Sequence, residues 1–252
     1  MFHIEKLEGR IVLTLDRAPV NAINDEWLAG LHALLDDLER DRETAVLHIR
    51  SALKIFSAGM DAAHILSLAD RSDGAEAMVK DVIQFQRAFA RIEALPQVTI
   101  AEIGGAALGG GLELALACDL RIASERAKIG LPEAKLGLIP GAGGTQRLTW
   151  LCGRGTASRL ILTGEVVDGA SAERLGIVQW SFPHEKLAEE ATRIAEQVAA
   201  LSRTAVREAK QLIAAASDPA RDGFAEEIDA DRRLFDTADT RDRVRSFLAG
   251  DR

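Results

Sequence analysis

The sequence predicts a mixed α/β fold with a helical C-terminal extension, and three observations predict it. Short extended runs alternate with amphipathic helical ones through the first half of the chain, strand signals thin out past Gly144, and a glycine-rich turn sits between an apolar strand and an apolar helix. A length of 252 residues lies near the border between one large domain and two small ones. With 47% hydrophobic and 28% charged residues, the composition is that of an ordinary soluble globular chain, so neither disorder nor a fibrous architecture is indicated.

Phe2 to Lys6 and Arg10 to Leu15 read as two strands joined by a turn at Glu8-Gly9. Asp25 is placed to cap a helix whose Leu28, Leu31, Leu34, Leu35 and Leu38 recur every three or four positions, and Ala45 to Arg50 reads as the next strand. A long helix from about Gly74 to Ala94 stops before Pro96, and Val98 to Ile103 follows as a buried strand. Later helical stretches begin near Thr156, Ser171, His184, Arg203, Pro219 and Thr240, with a division of the chain expected near residue 200.

Charge and cysteine usage exclude several classes. The 31 basic and 39 acidic side chains leave a formal charge of -8, which disfavours nucleic acid as the main partner. The arginines near the end (Arg232, Arg233, Arg241, Arg243, Arg245) alternate with aspartates and read as solvated, paired helix faces. Glu102, Glu113 and Asp119 interrupt the apolar stretches before any reaches bilayer length, so no membrane segment is expected. The first residues, Met1 to Lys6, lack the pattern of a signal peptide, and Cys118 and Cys152 have no metal-ligand spacing; a reducing, cytoplasmic setting is expected, with both cysteines as small packing residues. None of the five histidines carries a paired or nucleophile-linked spacing.

Three segments carry the chemistry. In Gly104-Gly105-Ala106-Ala107-Leu108-Gly109-Gly110-Gly111-Leu112-Glu113, five glycines fall in eight positions, which lets main-chain N–H groups approach a ligand at a helix start. The run lacks the Gly-Lys-Ser/Thr of a P-loop, and Ala106 and Leu114 break the dinucleotide fingerprint in both registers. Glu113 projects from the side of the first helical turn that carries Gly110; it either serves a bound group or simply favours its own helix. In Leu131-Pro132-Glu133-Ala134-Lys135, continuing to Pro140-Gly141-Ala142-Gly143-Gly144, the lone carboxylate of Glu133 either starts a helix, pairs with Lys135 or Arg147, or does chemistry. In Phe56-Ser57-Ala58-Gly59-Met60-Asp61, the Ala-Gly pair suits close backbone contact and Asp61 suits a helix cap.

Taken together, in this order, these segments resemble the enoyl-CoA hydratase/isomerase, or crotonase, family, as do Asp16 to Ala22 and Leu162-Thr163-Gly164-Glu165. The resemblance implies a spiral of ββα units over residues 1–200 and a helical region, 201–252, that joins subunits into a homotrimer or a dimer of trimers. It implies an acyl-CoA thioester as substrate, with no metal or redox cofactor. It places the two backbone donors of an oxyanion hole on Ala58 and Gly110, lines the coenzyme A and acyl site with Ala58, Gly59, Met60, Asp61, Gly109, Gly110 and Gly141, and makes Glu113 and Glu133 the acid/base pair of a hydratase. Glu133 would protonate the α-carbon while Glu113 holds the water. Gly104, where relatives often carry Asn, and Met60, often smaller, depart from the family pattern and leave the acyl specificity open. The alternatives within reach of the same residues are an isomerase or another acyl-CoA-transforming enzyme of the fold, and, from a different class, a non-catalytic acyl-CoA- or RNA-binding protein.

Overall fold

The apolar alternation at the start of the chain folds back on itself as β1 (Phe2–Leu7) and β2 (Arg10–Leu15), antiparallel around a turn where Gly9 takes φ +67. The computed structural model describes residues 1–250. After β2 come α1 (Asp25–Arg40), β3 (Val46–Ser51), α2 (Ala62–Ala69), α3 (Gly74–Ala94) and β4 (Val98–Ile103). The glycine run then yields β5 (Ala107–Leu108) and α4 (Gly110–Leu116), followed by β6 (Leu120–Ser124), β7 (Lys128–Gly130) and a 3-10 turn over Glu133–Leu136. The remainder is α5 (Gly144–Thr163), β8 (Val166–Asp168), α6 (Gly169–Arg174), β9 (Trp180–Phe182), α7 (His184–Ala199), α8 (Arg203–Ala215), α9 (Gly223–Phe235) and α10 (Ala238–Ala249).

A six-stranded sheet runs in the order β1-β2-β3-β4-β6-β9, parallel apart from the first pair, and β5, β7 and β8 form a second, three-stranded sheet. Side chains alternate across a strand, and the central strands β3 and β4 are buried on both faces while the edge strand β1 is largely exposed. Leu13, Leu47, Ile49 and Ile103 join Leu31 and Leu35 of α1 and Phe85 and Phe89 of α3 in the main core. Val46, Val98, Ile100 and Ile122 meet Leu187, Ala191 and Ile194 of α7 on the other face. Both expected hairpin strands, the limits of α3 and those of β4 agree with the sequence reading.

Several boundaries move, each for a local reason. Asn24, not Asp25, caps α1, because its side chain is the one that accepts from Trp27 N–H. The helix expected near Thr156 is the second half of α5, which already starts at Gly144 and breaks at Gly153 (φ +76). Asp168, Asp222 and Thr237 cap α6, α9 and α10, shifting those starts by a few residues from the expected Ser171, Pro219 and Thr240. The three-residue strands β8 and β9 also interrupt a region read as helical.

The chain leaves the sheet after α7. Lys210 of α8 still reaches back, donating to Asp119 Oδ2 at 2.7 Å and Gln97 O at 2.9 Å, while α9 packs on α8 and α10 on α9. The paired-charge reading of the arginine-rich end holds for Arg232 with Asp229, Arg243 with Asp239 and Arg245 with Asp242. Among the described residues no helix is long and apolar enough to cross a membrane.

Candidate active site

The glycine run packs backbone against backbone. A Cβ on Gly105 would lie 2.0 Å from Lys54 O, one on Gly111 2.1 Å from Ser57 O, and one on Gly59 2.6 Å from Gly110 N. Only residues without side chains allow the 54–59 segment and the start of α4 to approach this closely. The 57–61 loop is braced from behind by the Asp16–Ala22 segment: Ser57 Oγ donates to Asn21 O (2.8 Å), Asn21 Nδ2 to Phe56 O (2.9 Å), and Ile23 N–H to Gly59 O (2.8 Å).

That bracing corrects the assignment of Ala58. Its N–H donates to Val20 O at 3.0 Å and is therefore committed to the scaffold. The free donor is two residues on: the Met60 and Gly110 amides donate to no other described residue, and a Cβ on Gly110 would lie 3.4 Å from Met60 N. The positive φ of Gly59 (+83) turns the chain between the bound amide and the free one.

Both carboxylates line one cavity of about 240 Å³ with Met60 and Gly110. Glu113, on α4, is 3% exposed and accepts from Gly144 N–H at 2.8 Å. Burial pushes its carboxyl up to about 7, the neighbouring Glu133 adds to the rise, and the Gly144 and Ala142 amides and Arg147 oppose it. Glu133 opens the 3-10 turn, half-buried, and burial raises its carboxyl too, against a hydrogen bond from its own N–H. Its Oε2 is buried and accepts a hydrogen bond from no described residue. Neither ion pair considered for it forms: the Lys135 stem packs over Gly164, and Arg147 pairs with Glu93 at 2.8 Å. A buried carboxyl with raised proton affinity and a free oxygen is suited to moving a proton.

The enoyl-CoA hydratase/isomerase family model matches residues 5–249. The chain belongs to the enoyl-CoA hydratase/isomerase family. Relatives of this crotonase-type chain include the 2,3-dehydroadipyl-CoA hydratase of Escherichia coli (strain K12), 35% identical over 249 residues, covering 97% of this chain and 94% of that one. The structure of an enoyl-CoA hydratase from Bacillus anthracis superposes with a TM-score of 0.92 at 34% identity, covering 99% of this chain and 96% of that one. That of DspI from Pseudomonas aeruginosa gives 0.91 at 38% identity, covering 99% and 94%. The fold is thus that of the crotonase-type enoyl-CoA hydratases, as the motifs implied.

Within this family member, Ala58, Met60, Gly109, Gly110 and Gly141 face the cavity with the two glutamates. Gly59 instead packs beneath the Gly110 backbone. Asp61 turns away: it caps α2, accepting from Ala63 N–H at 2.9 Å, with Arg17 Nη2 at 3.8 Å. Sequence reasoning missed the Gly144 amide that grips Glu113 and the apolar wall from α2 and α3, formed by Ile65, Met78, Val82 and Phe85. The wall had a signal, since residues 78, 82 and 85 share one helical face.

Proposed function

We propose that the protein hydrates 2-enoyl-CoA thioesters to 3-hydroxyacyl-CoA. The observation that carries this reading is the meeting of two carboxyls of raised proton affinity with two unpaired main-chain amides, Met60 and Gly110, around one cavity. The thioester oxygen accepts from both amides, which stabilise the enolate formed when water adds to the β-carbon; one such donor is worth about 3 kcal/mol of barrier. Glu113, held by Gly144, orients the water and takes its proton as the new C–O bond forms. Glu133, with its unpartnered oxygen, delivers a proton to the α-carbon as the enolate collapses. The pair ends with its one proton on the other carboxyl, and exchange through the next bound water restores it. This chemistry calls on no metal or redox group.

The walls support an uncharged acyl group. Among the described residues Glu113 and Glu133 are the only charged ones lining the cavity, and Ile65, Met78, Val82, Phe85, Leu138 and Ile139 surround the space beyond them. A chain ending in a carboxylate finds no cation there and is disfavoured by its own desolvation. We further propose that residues 201–252 form the oligomerisation region of a homotrimer or dimer of trimers, supported by the exposed Phe224, Phe235 and Phe247 of α9 and α10. Free Cys118 and Cys152 support a cytoplasmic setting.

Turnover of purified protein on a panel of enoyl-CoA thioesters tests the reading. Expected are 3-hydroxyacyl products from crotonyl- and hexenoyl-CoA, and kcat/KM lower on the order of 100-fold for the six-carbon substrate with a terminal carboxylate. Conversion of 3-enoyl to 2-enoyl thioesters without 3-hydroxyacyl product would establish an isomerase instead.

A further inference from the structure

The α3 helix does more than wall the cavity. One of its side chains reaches the loop that leads into α5 and another the first turn of α5 itself. Gln86 Nε2 donates to Gly141 O at 2.6 Å, and Glu93 receives the Arg147 guanidinium at two points, Nε to Oε1 at 3.1 Å and Nη2 to Oε2 at 2.8 Å. The remaining arm, Arg147 Nη1, donates to Ala142 O at 2.9 Å. Two residues further, Gly144 N–H grips Glu113 Oε1 at 2.8 Å. The guanidinium lies over Gly143, where a Cβ would stand 2.1 Å from Nη1, and Gly143 itself sits at φ +106. One short turn is therefore clamped from one side by Arg147 and presents its amides to Glu113 on the other.

We propose that Arg147, anchored by Glu93, is a positioning residue for Glu113, setting the Ala142–Gly144 turn that holds the carboxylate and placing a fixed cation behind it. The proposal rests on the reading of Glu113 as one of the acid/base pair. Arg147 itself does not line the cavity and acts through the turn. Its side chain is 11% exposed, so its charge is only weakly screened, whereas Glu93 is 44% exposed on the solvent side. The charged groups bearing on Glu113 are Glu133, which favours its protonation, and Arg147, which opposes it. Glu93 partly neutralises Arg147. The planar guanidinium satisfies Glu93 and Ala142 O together; a lysine supplies the charge but not that fork.

The test uses the full chain with Arg147→Gln, Arg147→Lys and Glu93→Gln, measuring kcat and KM for crotonyl-CoA across pH beside thermal unfolding. Arg147→Gln is expected to lower kcat on the order of 10- to 100-fold with KM within about three-fold, because a misplaced group loses the transition state more than the substrate. The pH limb belonging to Glu113 moves to higher pH in Arg147→Gln, since the opposing cation is gone. Arg147→Lys returns the limb but only part of kcat. Glu93→Gln, which leaves Arg147 unneutralised, moves the limb to lower pH; its exposed side chain keeps this arm informative if Arg147→Gln folds poorly. An active wild type whose limb is unmoved in the variants, with kcat falling only as the folded fraction falls, overturns the positioning role alone. A wild type inactive on every enoyl thioester rejects the acid/base reading, and this proposal with it.

Discussion

The two carboxylates of the cavity are held in different ways. Glu113 rises from a regular helix, is 3% exposed, and has one oxygen gripped by a main-chain amide supplied from a distant loop. Glu133 stands on a 3-10 turn, half-buried, with one oxygen free of any hydrogen bond. Both have raised proton affinity for the same first reason, removal from water. The difference lies in freedom: a carboxyl tied to the backbone keeps a water in register, and one with an unpartnered oxygen can give a proton in a new direction. A glycine stands against each. A Cβ on Gly144 would meet Glu113 Oε1 at 2.9 Å, and one on Gly109 would meet Glu133 Oε1 at 2.9 Å.

The largest expected effect breaks the pair at its freer member. Glu133→Gln should lower kcat for crotonyl-CoA hydration on the order of 1,000-fold while leaving the fold and acyl-CoA binding in place, because the amide matches the carboxyl in shape and cannot donate a proton to carbon. Glu113→Gln should lose less, since the amide oxygen still accepts from Gly144. Steady-state kinetics together with circular dichroism read this out; equal losses in the two variants would remove the division of labour.

The glycines give the next effect and separate position from chemistry. Gly144→Ala meets Glu113 Oε1 at 2.9 Å and also the Pro140 Cβ at 2.8 Å, a rigid neighbour that cannot swing aside. A loss of kcat on the order of 100-fold is expected, with part of it in stability. For Gly109→Ala the Cβ contact is with the tip of a flexible side chain, so the backbone dominates: φ +53 with ψ −128 is a glycine conformation. Its expected signature is a drop in thermal stability with a smaller kcat loss per folded molecule. Reversal of these two patterns would show that Glu133, not Glu113, is the tightly held group.

How much of this was readable in advance varies with the range of the interaction. Hydrophobic period gave β1, β2, α3 and β4, because each is decided by residues close together in the chain. The two glutamates stood out as lone charges in apolar company. The three-residue β8 and β9 did not, since they exist by pairing with β7 and β6 rather than through any pattern of their own. The expectation of a free donor at Ala58 is the one the structure overturns, since the unbonded amide is that of Met60. Which amide is free depends on the Val20 carbonyl, 38 residues away, and on the turn at Gly59, and residue order displays neither.

The smallest effect is thermodynamic and compares the two carboxyls directly. Glu113 has a folded value of about 7 against an ordinary 4.5, so the folded state holds its proton more tightly than the unfolded chain does. Its contribution to stability is intact below pH 4.5 and is lost as pH rises through 7, because the unfolded chain ionises first. The full shift corresponds to about 3 kcal/mol, which entry of water into the cavity should reduce to about 1 to 2 kcal/mol. Glu113→Gln should therefore match wild type in urea unfolding under acid conditions and exceed it above neutrality. Glu133→Gln should show the same sign with a smaller gain, its carboxyl being less buried. Parallel stability-against-pH curves for wild type and Glu113→Gln would mean that Glu113 ionises at ordinary acidity and that burial does not raise its proton affinity.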